Sequence, residues 1–303
     1  MAWPPACVAG WYPHQLYFES GKGAHLVDID GDRYIGLRAG LGPLAAGARP
    51  PGDPGSRARP AGPGHHVRGG GNMHEVVAAE RFLGALGWAE RLLWTNTGTE
   101  AVQIALRLAR AHTGRGHRRQ ARRRIPRMAR HRAGQLHGLR QGGESLFRTR
   151  WDSQPPRWRT CVVASNNDLD NCASAFEAEP GRIAAVLVDP TSSNTGSVAP
   201  EPGYLEGLRR LCDEHGALLI FDEVVSGLRL GLSGAAGRFG VTPDLATYGK
   251  AIGSGMAVAA VAGRGEVIDL VLQGAVHSGT FNGNPLAMTV LTATLDVLSQ
   301  PGV

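Results

Sequence analysis

The chain has 303 residues, 42% of them hydrophobic, and a formal net charge of +6. That length and apolar content suffice for one large domain, or for one domain with a smaller companion. No apolar run approaches the roughly 18–20 residues of a membrane-spanning helix, so no membrane partner is expected. The basic charge is local. Between Gly114 and Thr160 fourteen arginines stand against two acids, Glu144 and Asp152, so this segment carries +12 and the remainder −6. Cys7, Cys161, Cys172 and Cys212 form no C-x-x-C pair, and the start, MAWPPACVAGWYPHQ, lacks a charged-then-apolar leader. Reduced thiols in a cytoplasmic protein are the expectation.

In chain order, residues 16–37 read as a hairpin: a strand from Ala24 to Ile29, turn chemistry at Asp30-Gly31-Asp32, and a return from Arg33 to Leu37. Residues 42–71 are rich in Gly, Pro, Ala and Arg and hold no packed element. His65-His66 has no acidic or Cys neighbour and is not read as a metal site. This divides an N-terminal segment, 1–71, from a large domain, 72–303. Val76, Val77, Ala79, Phe82, Leu83 and Leu86 predict a helix over 73–87, and Arg91–Trp94 a short strand. Thr95-Asn96-Thr97-Gly98-Thr99-Glu100 follows. Ala101, Ile104, Ala105 and Leu108 then mark a helix from about Thr99. A strand, a Gly/Thr turn and a helix start suit a phosphate, because first-turn N–H groups lack partners and the helix dipole favours an anion. An ordinary N-cap with Glu100 in the first turn is the equal alternative.

Residues 114–160 interrupt the large domain. They show no sustained period and place arginines on every face. They carry no recognisable nucleic-acid module or interleaved aromatics, so no nucleic-acid partner is expected. Beyond Cys161, Ile183–Val188 reads as a buried strand ending at Asp189-Pro190, with a polar loop over 191–196. A helix over 203–215 buries Leu205, Leu208, Leu211 and Cys212. Strands at Ala217–Phe221 and Val258–Ala262 and a helix over 285–298 complete the pattern. Alternation of this kind predicts an α/β domain with a mainly parallel sheet and ligands at the carboxyl ends of strands. Asn96, Asp189, Asp222 and Lys250 fall at such ends.

Lysine is scarce: of 32 basic residues only Lys22 and Lys250 are Lys. Where Arg supplies nearly all positive charge, a retained Lys suggests an amine that must lose its proton and attack a carbonyl. Asp222 and Glu223 directly follow the apolar run 217–221.

Four motifs, N-T-G-T-E-A at 96–101, F-D-E-V at 221–224, T-P-D-L-A-T-Y-G-K at 242–250 and G-T-F-N-G-N-P at 279–285, resemble the class III pyridoxal-phosphate-dependent aminotransferases. Within them the likeness is to the glutamate-1-semialdehyde 2,1-aminomutase group. The resemblance covers roughly 16–44, 72–114 and 161–303. It implies the aspartate-aminotransferase-like fold type I, a mainly parallel sheet with helices on both faces. It implies pyridoxal 5'-phosphate as cofactor, a small amino or oxo substrate, and a homodimer with shared sites. Lys250 would form the Schiff base with the cofactor aldehyde and then move the substrate proton. Asp222 would face the pyridine nitrogen, and Val224 would pack on the ring. Gly98 and Thr99 would hold the phosphate, and Thr280 would reach the phosphate of the neighbouring subunit. Glu223 is expected to make at most a structural ion pair.

The chain departs from the family pattern in three places. The family's aromatic-His-Gly element would fall in 114–160, where His137-Gly138 follows Leu136, and 45–71 lacks its Gly-His-x-His-Pro-like segment. The family continues past the helix over 285–298 into a small C-terminal domain that this chain is expected to lack. The abrupt borders and Arg/Gly/Pro/Ala bias read as out-of-frame translation of a GC-rich gene, with a genuine insertion as the alternative. Activity is therefore set against a second reading, a truncated or degenerate homologue that retains at most cofactor binding.

Overall fold

The structure, a computed structural model, describes residues 18–22, 24–28, 30–35, 73–115, 160–194, 196–275 and 277–302. The irregular stretch at 45–71, His65-His66, and all of 114–160 except its ends lie outside the described residues. Strands β1 (Phe18–Lys22), β2 (His25–Asp28) and β3 (Arg33–Ile35) form an antiparallel ribbon. The predicted hairpin is β2–β3, with Gly31 at φ +88° in the turn. Strand β1 is an addition to it.

The main sheet has six strands: β4 (Arg91–Thr95), β5 (Cys161–Val163), β6 (Ala185–Val188), β7 (Leu218–Glu223), β8 (Leu245–Tyr248) and β9 (Ala259–Gly263). Their spatial order is β4-β9-β8-β7-β6-β5. Strands β5 to β8 pair in parallel, while β9 runs antiparallel to both β8 and β4. The connections explain the difference. A parallel return needs a crossover of about a dozen residues or more. Helices α3 (Leu169–Ala178), α4 (Tyr204–His215) and α5 (Gly234–Phe239) supply the crossovers that end at β6, β7 and β8. Between β8 and β9 the chain makes only a 3-10 turn, Lys250–Gly253, and comes straight back.

Alternating strand residues face two helical layers. On one side Val186, Val188, Leu219, Phe221, Ala246, Tyr248 and Ala260 pack against α1 (Met73–Leu86), α3, α4 and α7 (Pro285–Leu298). Phe82 meets Tyr248 edge-on, with ring centroids 5.2 Å apart. On the other side Ile220, Leu245, Ala259 and Val261 pack against Ala101, Ile104, Ala105 and Leu108 of α2 (Gly98–Thr113). Helix α6 (Gly265–Ile268) joins that layer. The expected helices on both faces are present.

Asp244 pins the start of the central pair. Only 3% exposed, its carboxylate accepts from Arg209 Nη1 (2.8 Å), Arg264 Nη1 (2.7 Å) and Leu219 N (2.7 Å). Two guanidinium groups and an amide satisfy the buried charge. They also fix the register of β7 against β8, in which Asp222 lies opposite Thr247.

Gly114 caps α2 in the left-handed region, and Arg115 reaches past it to the carbonyls of Ile183 (2.5 Å) and His215 (2.8 Å). Thr160 O accepts from Ala184 N at 2.6 Å. The two ends of the Arg-rich segment are thus packed, which narrows the predicted irregular stretch at both borders.

Candidate active site

The carboxyl ends of β7 and β8 bring the site together. Asp222 is the penultimate residue of β7; its Oδ1 accepts from Val224 N (3.1 Å) and from Thr247 Oγ1 (3.2 Å) on the neighbouring strand. Both donors lie outside any helix, one in the turn after β7 and one in strand β8. Lys250 stands two residues past β8, at φ +45°. A non-glycine residue in that region is uncommon and strained, and such strain concentrates where a side chain must be aimed.

Three residues close the space beside them. A Cβ at Gly98 would lie 2.6 Å from Val224 Cγ1, and one at Gly249 would lie 3.3 Å from the same atom. The first residue of α2, the residue after Glu223 and the residue before Lys250 are therefore packed against one another. Gly98 is required here by close approach, since no side chain fits.

Electrostatics link the two reactive groups. Burial lowers the Lys250 pKa, and the charge of Arg229 adds to this; Asp222 and Asp189 oppose it. Burial raises the Asp222 pKa, with help from Asp189, against the donors Val224 N and Thr247 and the charge of Lys250. Desolvation thus dominates on both sides, and it makes Lys250 a better nucleophile than an exposed amine. Asp189, at the end of β6, turns its oxygens to its own loop. They accept from Thr191 N (3.1 Å), Ser193 N (2.9 Å) and the two hydroxyls.

Glu223 departs from expectation. Fully buried, it pairs with no cation among the described residues. It accepts instead from Ala235 N (2.7 Å) and Tyr248 Oη (3.4 Å). Burial pushes its pKa up to about 7. Its side chain points away from Asp222 because successive strand residues face opposite sides.

At the start of α2 the ordinary cap and the anion-ready turn coexist. Thr97 Oγ1 accepts from Glu100 N (3.2 Å), and Glu100 Oε2 accepts from Asn96 N (2.9 Å) and Thr97 N (3.0 Å). This capping box uses the N–H groups of Asn96, Thr97 and Glu100. Those of Gly98 and Thr99, the pair singled out in the sequence, are not among them. Thr280 lies exposed in the turn before α7. That turn is tied to the start of α2: the side-chain amides of Asn282 and Asn96 are hydrogen-bonded at 2.8 Å.

Residues 8–303 match the family Aminotransferase class-III. The chain belongs to the class-III aminotransferases. This class-III aminotransferase chain is 40% identical over 294 residues to a glutamate-1-semialdehyde 2,1-aminomutase from Roseiflexus castenholzii, covering 95% of this chain and 66% of that protein. A protein of the same name from Symbiobacterium thermophilum is 38% identical over 314 residues, covering 98% and 68%. Among solved structures, an omega-transaminase from Sphaerobacter thermophilus superposes with a TM-score of 0.76 at 30% identity, covering 95% of this chain and 68% of that one. A transaminase with PLP bound superposes with a TM-score of 0.75 at 28% identity, covering 96% and 68%. The chain spans about two thirds of the length of these relatives.

The residues fit pyridoxal phosphate by their own chemistry. An amine of lowered basicity suits an aldehyde, and a buried carboxylate suits a pyridine nitrogen. The Gly98 and Thr99 N–H groups, which the capping box does not use, suit a phosphate at the start of α2. Among the described residues no group of three His, Cys, Asp or Glu could hold a metal ion, and no helix is long and apolar enough to cross a membrane.

Sequence reasoning missed Thr247, Gly249, His277 and Asn282. Thr247 stands three residues before Lys250 in a quoted motif, but its pairing with Asp222 follows only from strand register. The capping box was visible as Thr-x-x-Glu at 97–100.

Proposed function

We propose that this class-III aminotransferase is a pyridoxal-phosphate-dependent enzyme of amino-group transfer, with a small amino or oxo compound as substrate. The carrying observation is the placement of Lys250, its basicity lowered by burial, beside the buried Asp222. The cofactor, when bound, supplies an aldehyde for reversible covalent attachment of amines and a ring that accepts electron density.

Lys250 would hold the cofactor through its amine and, when free, would take and return the substrate proton. Asp222 would hold a proton at the ring nitrogen, and the Val224 N–H and the Thr247 hydroxyl favour its ionised form against burial. A carboxylate so placed shifts a neighbouring equilibrium by about 1–3 pK units. Val224 covers one ring face and excludes water from it. The Gly98 and Thr99 N–H groups, with the Thr99 hydroxyl, bind the phosphate at the positive end of α2. Thr280 of a second copy would reach that phosphate, so the working unit would be a homodimer with shared sites.

The names of the curated relatives support the 2,1-aminomutase form, in which nitrogen moves within one molecule. The test supplies purified protein and pyridoxal phosphate with glutamate 1-semialdehyde, and separately with an amino donor and an oxo acid. The 2,1-isomer, or an aminated acceptor, is expected and should vanish in Lys250→Ala. Cofactor binding without either product would leave the non-catalytic reading.

A further inference from the structure

The turn before α7 and the turn before α2 are joined by a polar relay that the reactive residues do not use. The Asn282 amide bonds to the Asn96 amide at 2.8 Å and lies 3.2 Å from His277 Nε2; that nitrogen lies 2.9 Å from Trp94 O, at the end of strand β4 just before Asn96. The relay is built in. A Cβ at Gly279 would sit 2.4 Å from Asn282 Oδ1, so a side chain there would displace the amide from its position. Its backbone is closed by Asn282 N to Gly279 O (3.2 Å) and Asn284 N to Phe281 O (3.2 Å).

Proton placement decides which bond the ring makes. Trp94 O can only accept, and His277 Nδ1 is buried without a partner among the described residues. A neutral ring with its proton on Nε2 satisfies the first and leaves no buried donor unpaired at the second. Asn282 Oδ1 accepts from Asn96 Nδ2, and Asn282 Nδ2 packs against the ring at Nε2. Burial lowers the His277 pKa and the charge of Arg107 adds to this, against the Trp94 carbonyl and Glu100.

We propose that His277 and Asn282 are positioning residues for phosphate binding: they clamp Asn96, and with it the Gly98–Thr99 backbone, in the conformation that receives the phosphate. This rests on the cofactor reading above. Asn96 is the last residue before the cap at Thr97, so its side chain is the handle by which the turn is held from outside α2. The same clamp fixes the turn that carries Thr280. The relay touches the phosphate end of the site and not the ring end, where Lys250 and Asp222 stand.

The test compares pyridoxal phosphate with pyridoxal, which lacks the phosphate. Dissociation constants are measured by spectral titration for the wild type, Asn282→Ala, His277→Phe and His277→Gln, with melting temperatures alongside. The removal of one positioning hydrogen bond is expected to weaken pyridoxal phosphate about five- to tenfold in Asn282→Ala and His277→Phe. Pyridoxal binding should be unchanged. His277→Gln, whose amide can donate to Trp94 O, should recover most of the loss. Equal weakening of both ligands would mean a merely structural role and overturn the proposal, as would no weakening of either. A wild type that binds neither ligand defeats the cofactor reading itself, and this inference falls with it.

Discussion

Gly98 and Val224 touch so closely that a Cβ on the first would lie 2.6 Å from Cγ1 of the second. The contact ties the start of α2 to the chain leaving β7, and so the anion-ready turn to the carboxylate of Asp222. A gap of that size forces something to move, because cores tolerate little added volume. Gly98→Ala should weaken pyridoxal phosphate about tenfold or more in a spectral titration. Adding Val224→Ala should recover part of the loss, giving a coupling between the two sites of roughly 0.5–3 kcal/mol. Independent effects of the two changes would contradict the contact.

Thr247 donates to Asp222 at 3.2 Å and helps keep a buried carboxylate ionised. Thr247→Val removes that donor without changing the side chain's outline. The Asp222 pKa, already raised by burial, should rise further, so the acid limb of the pH–rate profile should move to higher pH. An acid limb that stays in place would mean that Thr247 does not act through Asp222.

Glu223 provides a pH signature of the fold. Its carboxyl goes from 4.5 to about 7 on burial. The folded state therefore binds more protons than the unfolded state between these values. Stability from this group is full below about pH 4.5 and is lost as pH rises through about 7, by on the order of 3 kcal/mol. Denaturant unfolding from pH 5 to pH 8 should show the decline. Glu223→Gln, which keeps an acceptor for Ala235 N, should flatten it, and the difference between the two curves isolates Glu223 from Asp222.

The Asp244 cluster should separate buried from exposed ion pairing. Asp244→Ala leaves Arg209 Nη1 and Leu219 N without their acceptor and should cost about 3–5 kcal/mol. Arg264→Ala removes a partner whose side chain is 45% exposed and should cost about 1 kcal/mol or less. Similar losses from both, in denaturant melts, would contradict the assigned burial.

Most of this was legible in the sequence where the signal is local. The stripe Ala101-Ile104-Ala105-Leu108 gave α2, and the apolar runs before Asp189 and Asp222 gave β6 and β7. The lone downstream lysine pointed to Lys250. What the sequence hid depends on register or brevity. Strand β8 has four residues and β5 three, too few for a period to show. Helix α3 follows an irregular stretch that obscures its border. The reversed direction of β9 follows from a short connection and not from any residue type. Thr247 and Asn282 act across 25 and 186 residues of chain, to Asp222 and Asn96, and no spacing rule finds them. Glu223 had no firm role in the sequence, and the ion pair a charged residue suggests is replaced by the neutral donors Ala235 N and Tyr248 Oη.

The central claim is that Lys250 captures the cofactor, and reductive trapping tests it most directly. Purified protein is incubated with pyridoxal phosphate, treated with borohydride, digested and examined by mass spectrometry. The account predicts one phosphopyridoxyl group per chain, on the peptide containing Lys250, with the parallel absorption band absent in Lys250→Ala. Label on Lys22 or the N-terminal amine alone, or a band unchanged in the variant, would contradict it.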